Sequence, residues 1–337
     1  MDIQTVSITA LPRERVQAFY RQVYPQRRAA FVDRFEWRYR VGSESPITPV
    51  MAILPDGRIA GQAAGIPVHL RVAGVVRAAT WFIDFIVAPD LQRQGIGQVL
   101  TRAWMDRCDI QLGQPNDRSI GVLEKYGWRQ QVGCYRFALP INLTNVLRYR
   151  GIDPRLAAAA GLGQPIYRAL LRARARHRRP LEVRPLGEVG DLTAIFDDPG
   201  PTGLIRDRDW LHWRLVDSPV ASEYVHAADG DAHLILRVFA EGGLRRAHVL
   251  YASENASPDA THNVLARLVV WALDHDIDLI WAVCSHPALV RQFGRLFPAR
   301  LPVRVSYHAT GETGRCLEQH VLSLHAMDSD ADIVYGG

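Results

Sequence analysis

The chain has 337 residues, 48% of them hydrophobic, and a formal net charge of +5. At roughly 150 residues per domain, this length predicts two domains with ordinary hydrophobic cores. No run reaches the roughly 18 to 20 apolar residues that a membrane span needs, and the first ten residues lack the basic and apolar segments of a signal peptide. We therefore expect a soluble, cytoplasmic protein.

The basic excess comes almost wholly from arginine, because Lys125 is the only lysine in the sequence. No recognised nucleic-acid-binding motif is present, so we expect no nucleic acid partner, and the mild basicity weakly favours an anionic cofactor, glycan or lipid headgroup. The cysteines form no C-x-x-C pair, which predicts neither a zinc site nor a disulfide framework; they are Cys108, Cys134, Cys284 and Cys316. No metal is expected.

The first eighty residues predict mostly antiparallel strands and two helices. A helix that starts at Pro12 carries Val16, Phe19, Tyr20 and Val23 on one face, which predicts that this face packs on a core. The other predicted elements are a strand over Ile3–Thr9, a second helix over Ala29–Arg40, and two hairpins, Val50–Leu54 with Ile59–Pro67 around Asp56-Gly57 and Val68–Val72 with Val75–Ala79 around Ala73-Gly74.

The most informative stretch, Trp81–Trp104, predicts a strand, a glycine turn and a helix in succession. Trp81–Ile86 is apolar except for Asp84 and predicts a buried strand, which Pro89 ends. Gln92-Arg93-Gln94-Gly95-Ile96-Gly97 then leads into an amphipathic helix with Val99, Leu100, Ala103 and Trp104 on its core side. Glycines at such a junction let backbone N–H groups approach an anion, and a helix N-terminus carries about half a positive charge. The turn therefore predicts a phosphate-binding site.

Three phosphate-binding loops are possible for these glycines. A P-loop needs Gly-Lys-Ser/Thr at its end, and Gly97-Gln98-Val99 lacks it. A Rossmann fingerprint needs a third glycine where Leu100 stands, and a second parallel strand that Trp104–Gly113 does not predict. The remaining pattern, Gln/Arg-x-x-Gly-x-Gly after a strand that ends in Val-x-Pro-Asp, resembles the acyl-CoA pyrophosphate loop of the GNAT N-acyltransferase superfamily. Gln92, Gly95 and Gly97 stand on its motif positions, and a purely structural turn is the alternative.

A second match follows in the order of that family. The second GNAT signature is similar to three consecutive segments of this chain, Gly113–Ser119, Ile120–Glu124 and Lys125-Tyr126-Gly127-Trp128. In that signature, an Asn after the next strand and a short helix that ends in a Gly-aromatic pair flank the pantetheine arm. Gly127 would permit the sharp helix exit before a strand over Gly133–Ala138.

The resemblance implies which residues bind the cofactor and carry the chemistry. Besides the loop, the backbone after Asp84 would bond the pantetheine and the thioester carbonyl; the implied cofactor-binding residues are Phe85, Ile86, Val87, Gln92, Arg93, Gln94, Gly95, Ile96, Gly97, Gln98, Asn116 and Ser119. Asp84 is a carboxylate in an apolar strand, which suits a general base, and an ion pair with Arg38 or Arg118 is the alternative. Leu123 replaces the tyrosine that protonates the leaving thiolate in many GNAT proteins, and for Tyr126 we expect a core position.

The second half of the chain repeats the order of the first. Asp33–Tyr39 is echoed by Asp209–Leu215, and strands follow both. The stretch Tyr251–His262, where a second pyrophosphate loop should fall, has no Gly-x-Gly, so only the first unit is predicted to bind CoA. The predicted fold class is α/β (α+β), with two tandem GNAT-like units, each a mixed, mostly antiparallel sheet flanked by helices. The predicted divisions are an N-terminal GNAT domain of residues 1–140, a basic helical connector of residues 141–180, and a degenerate GNAT-like domain of residues 181–337.

Between the two units the sequence predicts helices over Asn142–Arg150, Pro154–Gly161 and Pro165–Arg179. The last ends in a basic run, Arg172, Arg174, Arg176, Arg178 and Arg179, which is typical of a solvated helix end or of a surface that docks on an anionic lipid or polymer. We expect the stripe Ile166, Leu170 and Ala173 to pack on the second domain, which disfavours membrane contact.

The resemblance implies an acyl-CoA-dependent N-acyltransferase with acetyl-CoA as the expected donor. A small-molecule or sugar amine would be the acceptor, by direct transfer in a ternary complex, and the second unit would shape its pocket, stabilise the fold or form a homodimer. Two alternatives stay open: a non-catalytic tandem-GNAT binding or scaffold protein, and a Fem-type aminoacyl transferase whose donor is aminoacyl-tRNA. The intact glycine loop favours CoA over that second donor.

Overall fold

A computed structural model of the chain contains two mixed β-sheets flanked by helices, which confirms the predicted fold class. It describes residues 3–25, 32–43, 45, 47–117, 119–175, 181–198 and 200–329. Arg118 and the last part of the predicted basic run, Arg176, Arg178 and Arg179, lie outside the described residues. Among the residues that are described, no helix is both long enough and apolar enough to cross a bilayer.

The strands of the two sheets, in chain order, are β1 (Gln4–Ser7), β2 (Val50–Ile53), β3 (Ile59–Val72), β4 (Val75–Val87), β5 (Gln111–Gly113), β6 (Arg129–Gln131), β7 (Tyr135–Pro140), β8 (Val183–Pro185), β9 (Gly203–Ile205), β10 (Tyr224–Asp229), β11 (Ala232–Glu241), β12 (Leu244–Ala252), β13 (Leu279–Cys284), β14 (Ala299–Pro302) and β15 (Val305–His308). The first sheet has the order β1-β2-β3-β4-β5-β15-β6, with β9 added beside β3. The second sheet has the order β14-β7-β13-β12-β11-β10-β8. Each sheet contains one parallel pair, β4 with β5 and β12 with β13.

The helices cover the faces of the sheets and form the connector between the halves. They are α1 (Arg13–Val23), α2 (Phe35–Arg38), α3 (Ile96–Met105), α4 (Ile120–Lys125), α5 (Leu143–Tyr149), α6 (Pro154–Leu162), α7 (Gln164–Ala175), α8 (Arg208–Leu211), α9 (Pro258–Asp274), α10 (Pro287–Leu296) and α11 (Gly311–Gln319). The predicted apolar spacings give buried faces, as with Val16, Phe19 and Tyr20 in α1 and Leu100 and Trp104 in α3.

The two sheets exchange strands. β7, from the first half of the chain, pairs with β13 and β14 in the second sheet, and β15, from the second half, pairs with β5 and β6 in the first sheet. The predicted boundary near residue 140 therefore does not separate the two sheets, because one strand crosses it in each direction. The division into residues 1–140, 141–180 and 181–337 stays a prediction.

Both predicted hairpins form, but they share one long strand, β3, which pairs with β2 on one side and with β4 on the other. The sequence pattern divided β3 at Pro67 and β4 at Thr80, but both strands continue, and Pro67 pairs with Thr80 in the middle of the ladder. Pro67 is tolerated because the other side of β3 is unoccupied there: β2 reaches only Ala63, and β9 begins at His69. A proline without an N–H breaks no ladder bond at such an edge.

The repeated sequences around Trp37 and Trp213 meet in the structure. Their rings stack with centroids 5.6 Å apart, and each indole N–H donates to the backbone carbonyl of the other residue, at 2.8 and 2.7 Å. A reciprocal contact of this kind is what two related segments make when a two-fold operation relates them. The repeat noted in the sequence thus marks a contact between the two halves.

The connector contradicts one expectation. The helices α5, α6 and α7 form as predicted, but Ile166, Leu170 and Ala173 face solvent and do not pack on the second sheet. The face of α7 that is buried carries Leu171 and Ala175. The periodicity was real, but the helix has two apolar faces, and the sequence did not show which one packs.

We expect the tryptophan pair to couple the two halves energetically. Trp37→Phe and Trp213→Phe should each lower the free energy of unfolding by about 1 to 2 kcal/mol, because each removes one indole donor from a half-buried carbonyl. A double-mutant cycle in urea should give a coupling energy above about 0.5 kcal/mol. The control is Trp104→Phe, which alters a buried ring stacked on Phe82. Its effect on the free energy of unfolding should add to that of Trp37→Phe. Additivity of Trp37 with Trp213 would contradict the contact.

Candidate active site

The central parallel pair of the first sheet opens at one end. β4 and β5 pair only through Thr80–Phe82 and Gln111–Gly113, and β5 stops at Gly113 while β4 continues to Val87. The strands therefore part beyond Gly113. A cavity of about 500 Å³ lies in this opening, with Phe85, Asn116 and Ser119 among its walls. We call it the strand cavity.

The glycine turn forms a second cavity, the loop cavity, of about 830 Å³. Its walls include Gly95 and Gly97 on one side and Lys125 and Tyr126 on the other. Gly95 has φ +82° and directly precedes α3, so the turn needs a residue that tolerates the left-handed region. A Cβ at Gly97 would lie 3.6 Å from the ring of Phe85, on the cavity side. The N-terminus of the ten-residue α3 therefore faces an open space, which suits an anion.

The two cavities adjoin each other. Phe85, Thr101 and Val122 line both of them, so the wall is shared from the start of α3 to the opening between β4 and β5. Thr101 is fixed by its hydroxyl, which donates to the carbonyl of Gly97 at 2.8 Å. A ligand with an anionic end at the helix and a reactive end at the strands fits this arrangement.

Most of the predicted cofactor-binding residues lie on these walls. Those on the loop cavity are Phe85, Ile86, Val87, Gln92, Arg93, Gly95, Ile96, Gly97 and Gln98, and those on the strand cavity are Phe85, Asn116 and Ser119. Gln94 lines neither cavity, and its amide donates to the carbonyl of Asp90 at 3.4 Å. Ile96 is almost fully buried, so only its backbone is suitably placed for a ligand.

Strand β4 carries a bulge at Asp84. Gln62 of β3 pairs with Ile86 and Ala64 pairs with Ile83, so Asp84 and Phe85 together oppose a single residue of β3. Asp84 has φ +51°, a strained conformation for a residue other than glycine. The bulge turns Phe85 outward, with 40% of its surface exposed, and re-aims the backbone of the next residues at the cavities.

A buried polar network holds the bulge in place. The Asp84 carboxylate accepts from Arg38 Nε at 2.7 Å and from the Tyr39 hydroxyl at 2.8 Å, while its backbone carbonyl accepts from Gln62 at 3.1 Å. The side chains of Arg38 and Asp84 are only 2% and 6% exposed. Tyr20 donates to Gln62 at 2.7 Å, and burial raises the pKa of Tyr20 well above its usual value, so the phenol stays protonated. The ion pair with Arg38, given above as the alternative for Asp84, is thus present, and the role of base stays a prediction.

Asn116 and Ser119 shape the start of α4. The backbone N–H of Asn116 donates to the Ser119 hydroxyl at 3.0 Å, and the Ser119 N–H donates to the Asn116 side-chain oxygen at 3.0 Å. These reciprocal bonds are typical of a local turn before a helix. The side-chain oxygen of Asn116 is therefore engaged in this turn.

A family model of the acetyltransferase (GNAT) domain matches residues 7–130, which include both cavities. We call residues 7–130 the GNAT domain after this match. No curated protein matches the chain in sequence. Among the residues described, no three His, Cys, Asp or Glu side chains lie close enough together to hold a metal ion.

Solved structures of the same fold cover nearly the whole chain. A GCN5-related N-acetyltransferase from Kribbella flavida is 15% identical, with a TM-score of 0.55, over 91% of this chain and 70% of that one. One from Anabaena variabilis is 11% identical, with a TM-score of 0.58, over 91% and 72% of the two chains. The N-myristoyltransferase of Saccharomyces cerevisiae, solved with bound myristoyl-CoA, is 11% identical, with a TM-score of 0.55, over 91% and 82%. At these identities the likeness shows the fold.

The GNAT domain contains two site residues that the sequence interpretation missed. Tyr126, for which a core position was expected, is only half-buried and lines the loop cavity, so that expectation is wrong. Lys125 is exposed beside it and adds a positive charge to a cavity that already contains Arg93. The signal available in the sequence was that the chain's only lysine stands inside the second motif. Leu123, in the place of the family's tyrosine, is buried.

The corresponding opening in the second sheet is filled by the chain itself. The segment Leu322–Asp328 lies against the end of β13, next to Ser285. The backbone N–H of Ser285 donates to the carbonyl of Leu324 at 3.1 Å, and its hydroxyl donates to the carbonyl of Leu322 at 2.6 Å. Cys284 forms a single antiparallel bridge with His325. The second half therefore differs from the GNAT domain in two ways: it lacks the glycines, and its own chain fills the opening between the parallel strands.

Buried charges hold this segment. Glu254, which follows β12, accepts from Ser323 at 2.7 Å and lies 2.7 Å from His325 Nε2. Burial alone would raise the pKa of Glu254, but the hydrogen bonds from His325 and Ser323 and the nearby charge of Arg206 outweigh it and lower that pKa to about 2. Arg206 also makes a bidentate contact with Asp328, at 2.8 and 2.7 Å. The stretch that would be a pyrophosphate loop thus serves as an anchor for the chain's own segment.

The role of the loop glycines in phosphate binding can be tested by replacing them with a larger, negatively charged residue. Gly95→Glu and Gly97→Glu should each abolish acetyl-CoA binding in isothermal titration, because a carboxylate at the start of α3 would occupy the anion site and repel a phosphate. Gly294→Glu, in an exposed turn of α10 with open space around it, is the matched control and should bind normally. Normal binding by both loop variants would show that the phosphate site lies elsewhere.

The network around Asp84 predicts a loss of stability that a base alone would not cause. Asp84→Asn should lower the free energy of unfolding by about 3 kcal/mol or more, because Arg38 then keeps a buried charge without its carboxylate. Asp90→Asn is the control, since Asp90 pairs with Arg58 at the surface, and it should cost less than about 1 kcal/mol. If denaturant unfolding of Asp84→Asn matched the wild type while turnover fell by roughly 10²-fold, the general-base role would be favoured over positioning.

Proposed function

We propose that the protein is an acyl-CoA-dependent N-acyltransferase whose donor binds in the GNAT domain. The observation that carries the proposal is the common wall of the two cavities, which joins the N-terminus of α3 to the bulge of β4. An acyl-CoA has a diphosphate at one end of its pantetheine arm and a thioester at the other. The helix N-terminus suits the diphosphate, and the opening between β4 and β5 suits the thioester.

The reaction needs little from side chains once the groups are held together. The acceptor nitrogen attacks the thioester carbon, negative charge grows on the carbonyl oxygen, and a backbone N–H in Phe85–Val87 is proposed to stabilise that charge. The carbon–sulfur bond then breaks, and CoA leaves as the thiolate. A thiol has a pKa near 8.5, so the thiolate can leave without an acid at the position of Leu123. The amine loses one proton, to Asp84 if the base prediction holds and otherwise to water.

The acceptor and the acyl group are proposed as chemical classes. Cavities of about 500 and 830 Å³ lie in the range of small-molecule sites and suit an acetyl donor with a small-molecule or sugar amine. Lys125 and Arg93 support an anionic donor by their position on the loop cavity. Transfer is proposed to be direct, in a ternary complex in which the acceptor amine attacks the bound thioester itself.

The donor is tested by titration of the full chain with acetyl-CoA, octanoyl-CoA and CoA. We expect one site per chain, lost in Gly97→Glu and kept in Gly294→Glu. Turnover is then measured as thiol release with a panel of amino sugars, polyamines and amino acids. Release that depends on one class of amine, with the acylated amine found by mass spectrometry, would support the enzyme.

Two outcomes would contradict parts of the proposal separately. Tight acyl-CoA binding without acylated product for any amine would favour a binding or scaffold protein with the same fold. No binding of any CoA ester at millimolar concentration, with the protein folded by circular dichroism, would overturn the donor assignment and turn attention to aminoacyl-tRNA.

A further inference from the structure

The helical connector has an apolar surface that no part of the described chain covers. Four of its large side chains, Leu156, Leu162, Ile166 and Leu170, are 63% to 85% exposed. A soluble protein scatters single exposed apolar residues over its surface, but four on two consecutive helices indicate a contact surface. We call the helices α6 and α7 together the connector hairpin.

The exposed apolar side chains lie on other faces of the two helices than the buried ones. In α7, Leu171 and Ala175 pack on the second half of the chain, and Ile166 and Leu170, one turn apart, point away from it. In α6, Ala157 is buried, while Leu156 and Leu162 are on the outer side. The hairpin is therefore apolar on both its inner and its outer face.

The flanks of α7 are anchored and positively charged. Arg168 and Arg174 donate to the backbone carbonyls of Leu273 and Arg295, and Arg172 pairs with Asp274. These contacts fix the orientation of the helix, so the outer face is held toward solvent. The outer apolar residues do not result from a loosely attached helix.

The charge of the connector selects the kind of partner. Residues 142–175 contain six arginines and one acidic residue, Asp153, which is engaged in capping α6 through the N–H of Arg155. Arg148, Arg150 and Arg155 are exposed, and they precede the apolar residues Leu156 and Leu162 closely in the sequence. Two copies of so basic a surface would repel each other, and a nucleic acid would leave the leucines in water. An anionic lipid surface satisfies both the arginines and the apolar side chains.

We propose that the connector hairpin docks the protein on anionic membrane surfaces, with Leu156, Leu162, Ile166 and Leu170 inserted at the level of the headgroups. Arg148, Arg150 and Arg155 contact the phosphates. The inference is independent of the acyltransferase proposal, because it uses no residue of the two cavities.

The test is co-sedimentation of the full chain with vesicles of phosphatidylcholine alone or with 30% or so of phosphatidylglycerol. We expect binding to the anionic vesicles only, weaker at high ionic strength because the Debye length shortens from about 10 Å at 0.1 M to about 3 Å at 1 M. The variant Leu162→Ser, Ile166→Ser, Leu170→Ser should reduce the partition coefficient at least tenfold. Arg148→Gln, Arg150→Gln, Arg155→Gln should reduce it and flatten its salt dependence.

The matched control changes three exposed valines away from the connector. Val75, Val76 and Val132 are 52% to 78% exposed, and their replacement by Ser should leave vesicle binding unchanged. Because all substituted side chains are exposed, thermal unfolding should show every variant folded. The proposal is overturned if the protein does not bind anionic vesicles, or if the leucine and isoleucine changes leave that binding unaffected. It is also overturned if light scattering shows a dimer that those changes abolish while vesicle binding is absent.

Discussion

The buried pair of Asp84 and Arg38 is the interaction on which the site depends. It lies at the one place where β4 departs from regular pairing, and the ion pair together with Tyr39 and Gln62 keeps Asp84 in a left-handed conformation that it would otherwise avoid. The bulge in turn presents Phe85 and the backbone after it to both cavities. A carboxylate that looks like a base in the sequence thus has a clear structural task, because a buried charge in a strand needs its partner.

Strand exchange makes the two halves of the chain depend on each other. The first sheet is complete only when β15, from the second half of the chain, pairs between β5 and β6. The second sheet is complete only when β7, from the first half, pairs between β13 and β14. The reciprocal contact of Trp37 and Trp213 adds a second link between the halves. Contacts so distant in sequence carry a high loop-closure cost, so they favour a single cooperative unit over two separable ones.

The halves share a strand order but use the end of the parallel pair differently. In the GNAT domain, glycines and a helix N-terminus leave the opening accessible to an anionic ligand. In the second half, Glu254 anchors the segment that closes the equivalent opening, through His325 and Ser323. A buried negative side chain between the strand and the following helix is compatible with an internal contact and unfavourable for a phosphate. The asymmetry supports a single donor site per chain.

The sequence by itself determined the local elements and the position of the loop. Helical spacing was sufficient for α1 and α3, and an apolar run located the second half of β4. The pattern from Gln92 to Gly97 located the turn, because a glycine with positive φ before a helix leaves a direct trace in the residues. The echo of Trp37 in Trp213 also pointed to related segments. Only the tertiary structure decided that Asp84 pairs with Arg38, that Tyr126 lines a cavity, and that Ile166 and Leu170 face solvent. It also decided that β7 and β15 change sheets, although Val303, Val305 and Tyr307 alternate as a strand would. The reason is common to all of these: a period shows which residues share a face, and only the packing of distant segments shows what that face meets.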